Sequence, residues 1–107
     1  MLRDIKWSPS EKKIAREAFN KAHEREMESI KFSLYEKVAA IKKDKDIWEL
    51  HNYLSERRDQ VDSKYDYRYS VLLNVFARLI MEGFLFEDDL VGLSDEKIAI
   101  IDKFCSL

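Results

Sequence analysis

Between Pro9 and Gly83 the chain contains neither glycine nor proline. Turn-rich β-sandwiches and barrels need those residues at their corners, so most all-β architectures are excluded. Two Gly and one Pro in 107 residues also exclude collagen and flexible linkers. What remains is a chain of helices. Its first start signal is Ser8-Pro9-Ser10-Glu11. Ser8 is placed to cap, Pro9 suits the first helical position, and Glu11 completes a capping box. A helix from Pro9 to Ile41 or Lys42 would span about 50 Å at about 1.5 Å per residue. A compact chain of this length has a radius of gyration of only about 13 Å. Either the helix breaks in the middle, or it packs against another subunit.

The apolar positions of this helix fall into two stripes. Ile14, Ala15, Ala18, Phe19 and Ala22 form one; Met27, Ile30, Leu34, Val38 and Ile41 form the other. On a wheel of about 100° per residue their centres differ by roughly 130°. Supercoiling absorbs only about 20° per heptad. The two halves are therefore expected to bury against different neighbours, a local bend being the alternative.

Lys42-Lys43-Asp44-Lys45 reads as a polar turn. Asp46, with Glu49 three residues on, is expected to cap a second helix that runs to Val61 or Asp62. Asp62 to Asp66 marks a break. A third helix carries Val71, Leu72, Val75, Phe76, Leu79 and Ile80, with Gly83 as its C-terminal cap. Phe84 to Leu93 reads as a connection. Ser94 caps a last helix, with Asp95 and Glu96 favourable in its first turn and Ile98, Ile100, Ile101 and Phe104 as apolar surface. The expectation is an all-α fold of four helices with a very long first helix.

Little in the sequence suggests catalysis. His23 and His51 stand 28 residues apart inside predicted helices, and no Cys or His pair has zinc spacing. Glu24, Glu26 and Glu28 are not followed by the histidine of a di-iron bundle. Cys105, near the end of a helix, lacks the N-terminal dipole that would activate it. As the only cysteine it forms no internal disulfide, which fits a reducing compartment, while an intermolecular bridge stays open. A phosphate loop is foreign to a chain with two glycines. The expectation is no enzyme, no metal and no cofactor. A formal net charge of -2 gives no general reason for a nucleic-acid or anionic-membrane partner. No apolar run has the length of a signal peptide or a membrane span, so a soluble intracellular protein is expected.

Aromatic and basic residues are more informative. Trp48, His51, Tyr53, Arg57 and Arg58 fall on the second helix, and Tyr65, Tyr67 and Tyr69 follow. Such residues dominate interface hot spots because they join apolar area to a polar handle. Trp48, His51 and Arg58, at spacings of 3 and 7, share one side of the helix. A core or dimer-seam role for Trp48 is equally compatible with this pattern.

The stretch DIWELHNYLSERRDQVDSKYDYRYSVLLNVFARLIMEG, from Asp46 to Gly83, resembles the fluorescence recovery protein family of cyanobacteria. The early KWSPSEKKIAREAFNKAHEREMESI and the late DDLVGLSDEKIAIIDKF also fit, so the resemblance covers essentially the whole chain. It implies an elongated helical homodimer with a small helical head. Within one domain over residues 1–107, residues 9–62 would be a long helical hairpin and dimerisation region, and 66–107 the head. It implies a regulator without a cofactor. The partner would be photoactivated orange carotenoid protein, bound chiefly through its C-terminal domain. The regulator would speed that partner's return to the orange form and its release from the phycobilisome, ending non-photochemical quenching. The implied location is the cytoplasm, peripheral at the thylakoid surface through that partner, with no nucleic acid and no membrane insertion.

The resemblance also implies roles for individual residues. Trp48, His51 and Arg58 match positions that matter for activity or for the dimer. Asn52 stands where the family usually has an aspartate, which removes one negative charge per subunit. Asn74 and Ile100 match head positions that are commonly aromatic and basic, and neither reproduces a ring or a cationic contact. The alternative reading is an adaptor of the same fold that has lost or changed its carotenoid-protein partner. Of the two roles open to Trp48, the dimer seam is favoured, and Arg58 is assigned to partner contact.

Overall fold

The computed structural model describes residues 5–107. Its helices are α1 (Pro9–Ala39), α2 (Asp44–Lys64), α3 (Leu72–Met81) and α4 (Asp95–Cys105), with a short 3-10 turn at Glu87–Leu90. The described residues form no β-strand beyond an isolated bridge between Val91 and Leu93. The expected four helices are present, and α1 is continuous over 31 residues. The chain measures 53 × 24 × 24 Å with a radius of gyration of 16.8 Å, well above the value of about 13 Å for a compact domain of this size.

Local chemistry sets the ends. The Ser8 hydroxyl accepts from Glu11 N–H at 3.1 Å, and the Glu11 carboxylate accepts from Ser8 N–H at 3.0 Å. α1 stops at Ala39, two or three residues earlier than its apolar pattern predicts, and Ile41 lies in the turn. α2 starts at Asp44, ahead of the expected cap. Asp46 is its third residue, and its carboxylate reaches back to the N–H groups of Lys42 and Lys43, both at 3.0 Å. It makes the backward half of a capping box, onto the N-cap residue and the one before it, and its charge also meets the positive end of the dipole. α2 continues past Asp62 to Lys64 because Val61 and Lys64 are both buried. Beyond α3, Gly83 takes φ 86°, the left-handed conformation that glycine adopts freely.

The two stripes of α1 meet different fates. Ala15, Ala18 and Ala22 are fully buried in the head, under Leu72, Phe76, Leu79, Leu85, Leu90 and Ile101. Their small side chains let α1 approach the head closely, and α1 itself packs on the 3-10 turn. Farther along, α1 and α2 lie side by side as an arm. Of the second stripe Ile30 is buried there, Met27, Leu34 and Ile41 are half-buried, and Val38 is 50% exposed. The offset between the stripes thus separates a face covered by the head from a face only partly covered along the arm.

Candidate functional site: the open face of the helical arm

The residues singled out on α2 lie along the arm. Trp48 is 66% exposed and His51 is also exposed, and their rings meet edge to face at 6.4 Å. His51 Nδ1 lies 3.5 Å from Asn52 Oδ1, at the limit of hydrogen-bond reach. Arg58 stands nearly free in solvent, its Nε 3.7 Å from Asp62 Oδ2. An exposed ion pair of this kind contributes about 0–1 kcal/mol, so the guanidinium remains available. Ile47, 48% exposed, extends the apolar surface of Trp48. Nearer the head, His23, Met27, Ile30, Leu54, Arg57, Arg58, Val61 and Asp62 line a groove of about 340 Å³ between the two helices.

The head carries a second concavity of about 620 Å³, lined by Ser70, Val71, Asn74, Ile100, Lys103, Phe104 and Leu107. It brings together Asn74 and Ile100, which lie 26 residues apart in sequence. The Asn74 side chain is exposed and Ile100 half-buried.

Between arm and head lies a charged cluster that sequence reasoning missed. The Glu26 carboxylate, 1% exposed, accepts from Lys64 Nζ at 2.7 Å, Arg57 Nη2 at 2.9 Å and the Tyr65 hydroxyl at 2.8 Å. Lys64 Nζ also donates to Glu82 at 2.6 Å, just beyond the end of α3. Burial works against ionisation of Glu26, but the donors from Lys64, Tyr65 and Arg57 outweigh it and hold the carboxyl below its ordinary range. Burial and the bond to Glu26 raise the Tyr65 hydroxyl, which stays protonated. The cluster ties α1, α2, the following linker and α3 to one another. Arg57 belongs to it and also lines the open groove.

Two further pairs fix the head. Lys97, 4% exposed, reaches Glu11 at 3.1 Å and the Lys6 carbonyl at 2.6 Å. Hydrogen bonds from Ser8, then from Ser94 and Lys97, lower the Glu11 carboxyl to about 2 against the cost of burial. Arg25 grips Asp89 with two bonds, at 2.7 and 3.2 Å. A signal for the buried acids was present in the spacing. Glu11, Ala15, Ala18, Ala22, Glu26 and Ile30 form one i, i+4 or i+3 series, so both glutamates occupy core positions.

None of this assembles a reactive centre. Among the described residues no three His, Cys, Asp or Glu side chains are grouped to hold a metal ion. Burial raises the Cys105 thiol, whose Sγ donates to the Ala77 carbonyl. No helix of the described residues is long and apolar enough to cross a membrane. The arrangement offers surfaces for other proteins: an open apolar and aromatic face on the arm, and a concavity on the head.

Comparison with known proteins bears on what those surfaces serve. The family model for the photoprotection regulator fluorescence recovery protein matches residues 7–105. The fluorescence recovery protein of Synechocystis sp. PCC 6803 is 36% identical over 101 residues, covering 94% of this chain and 93% of that protein. The solved structure of the Fremyella diplosiphon fluorescence recovery protein superposes with a TM-score of 0.90 at 42% identity, over 95% of this chain and all of that one. The Synechocystis structure gives 0.90 at 34% identity, with the same coverage.

Proposed function

The chain belongs to the fluorescence recovery protein family, whose members are regulators and not enzymes, and from that premise we propose that it is a homodimer acting on photoactivated orange carotenoid protein. In this reading it binds that protein chiefly through the C-terminal domain, speeds its return to the orange form and helps release it from the phycobilisome. Non-photochemical quenching then ends. It does so in the cytoplasm, peripheral at the thylakoid surface through its partner, without a cofactor of its own.

The observation that carries the reading is the open face of the arm, in a chain similar over 95% of its length to solved recovery proteins. Val38, Ile47 and Trp48 are 50%, 48% and 66% exposed in the single chain. Large apolar side chains exposed along one arm in this way fit an interaction surface. A second arm laid against it would cover it, and an obligate homodimer should bury more than about 2,000 Å² in total.

Acceleration constrains how the dimer engages its partner. Holding only the open, photoactivated ground state would slow closure. The regulator must bind the closing transition state more tightly than the open state. Arg58 supplies a directional fork for carboxylate or carbonyl oxygens, and His51 contacts the partner or orients polar neighbours.

Catalytic amounts of the protein mixed in darkness with photoconverted orange carotenoid protein test the proposal. Faster recovery of the orange absorbance supports it. Unchanged recovery at saturating binding rejects the activity for that pair. Asn74 and Ile100, which place an amide and an aliphatic chain in the head concavity, favour the second reading, an adaptor with a changed partner. Capture of other proteins from native lysate without orange carotenoid protein would decide for it.

A further inference from the structure

The linker from Tyr65 to Tyr69, between α2 and α3, lies along the first half of α1 by its alternate residues. Tyr65 meets Phe19 edge-on at 5.3 Å and His23 at 5.0 Å. Tyr67 meets Phe19 at 4.9 Å and Tyr69 at 5.5 Å, and Tyr69 meets Trp7 at 5.3 Å. Two cations of α1 close this stack. The Arg16 guanidinium lies 3.6 Å from the centroid of the Tyr67 ring, and Lys12 Nζ lies 5.4 Å from that of Tyr69. Both residues are exposed, and neither pairs with a carboxylate among the described residues.

Among the described residues these cations make no ion pair. From Pro9 to His23 the carboxylates are Glu11, which is committed to Lys97, and Glu17. Asp66, in the linker itself, is taken by Arg68 at 2.6 Å. Lys12 and Arg16 stand four residues apart on α1, so they are neighbours at roughly 6 Å on one helix face. Resting on rings restrains both long side chains before any partner arrives, which reduces the ordering cost of binding. The guanidinium edge keeps a planar fork that matches a carboxylate.

The geometry points to a docking surface on the flank of the head, formed by Lys12, Arg16 and Tyr69, for an acidic segment of a protein partner. It takes neighbouring carboxylates on Arg16 and Lys12, with the Tyr69 ring as apolar floor. Nucleic acid fits less well. Arg16 and Lys12 already cover the rings on which bases would stack, and the chain carries a net charge of -2. The surface is separate from the open arm and from the concavity of Asn74 and Ile100, and it does not depend on which protein the dimer regulates.

Titrating the isotope-labelled full chain with a hexaglutamate peptide, and separately with decathymidylate, tests this by nuclear magnetic resonance. Hexaglutamate should shift signals at residues 12–16 and 65–69, including the Arg16 Nε–H. Arg16→Met keeps the stem over Tyr67 and should weaken binding about three- to fivefold, the range of an exposed ion pair. Arg16→Lys should fall between the two, and Lys42→Met should bind as the parent does. Shifts spread over all lysines would overturn the proposal. So would equal binding by Arg16→Met, or tighter binding of decathymidylate at the same residues.

Discussion

Removing the Glu26 carboxylate leaves the Lys64 ammonium and the Arg57 guanidinium without their shared acceptor, inside a site where Lys64 is only 5% exposed. Breaking a buried pair costs up to about 3–5 kcal/mol; because Lys64 keeps Glu82, Glu26→Ala should lose part of that in urea unfolding followed by circular dichroism. Glu11 makes the corresponding prediction for pH. Its carboxyl is lowered from 4.5 to about 2, so its contribution is complete above about pH 4.5 and disappears as the pH falls toward 2. Glu26 and Asp89 are lowered too and act in the same direction. Melting temperature should therefore drop below about pH 4.5, and Glu11→Gln should flatten that drop. On the arm, Trp48→Ala should raise the dissociation constant of the proposed dimer, because a ring packed in that seam would contribute about 3–5 kcal/mol. Arg58→Ala should slow recovery of the proposed carotenoid partner while leaving the proposed dimer largely intact. Its Asp62 contact is worth at most about 1 kcal/mol. Sedimentation and recovery rates on both variants would show the assignment reversed if Arg58→Ala alone dissociates the dimer.

At the scale of elements, the loop after α3 carries a sharper constraint than its sequence suggests. Gly92 has φ 105°, and a Cβ added there would lie 2.5 Å from Ile14 Cδ1. Gly83 has φ 86°, but a Cβ there would meet nothing. Both alanine variants carry backbone strain of about 1–3 kcal/mol. Gly92→Ala also forces the tip of the half-buried Ile14 side chain to move, so it should be modestly the more destabilising of the two in thermal melts, and Ile14→Val should recover part of the difference. Helix existence was legible because capping signals and apolar spacing agree, as at Ser8 and Ser94. Helix ends were less so. Asp46 carries the chemistry of a cap, but from the third helical position its carboxylate turns back to the N–H groups of Lys42 and Lys43 ahead of the helix. The buried acids had a signal in their spacing, but their basic partners Lys64 and Lys97 come from distant segments that only the tertiary fold brings near. The rings over which Arg16 and Lys12 lie were visible as a tyrosine run, and nothing local tied that run to α1.

For the whole molecule, an extent of 53 Å along a chain of 107 residues leaves the arm too thin to cover its own apolar side. Sedimentation across micromolar concentrations should give a dimer, and a compact monomer there would refute the proposed seam. The elongated shape was legible in the amino-acid pattern, through the helix-length mismatch and the offset stripes. The head was less legible, since its core joins α1 to residues more than 50 positions later. One consequence of α1 belonging to both regions concerns rotation. The helix serves as an axle: Ala15, Ala18 and Ala22 are keyed into the head, while Ile30, Leu34 and Val38 ride on the same shaft. The angle between the head and the outer half of α1 then depends on residue count along the helix, within the tie that Glu26 makes to Arg57 and Lys64 of α2. Adding one alanine between Glu28 and Ser29 would turn that half by about 100° and advance it by about 1.5 Å. Such a variant should keep the head's buried packing but present the wrong side of the arm, so it should sediment as a monomer. The spacing between Ala22 and Ile30 is in this sense a phase setting, as much a part of the recognition surface as any side chain that touches a partner.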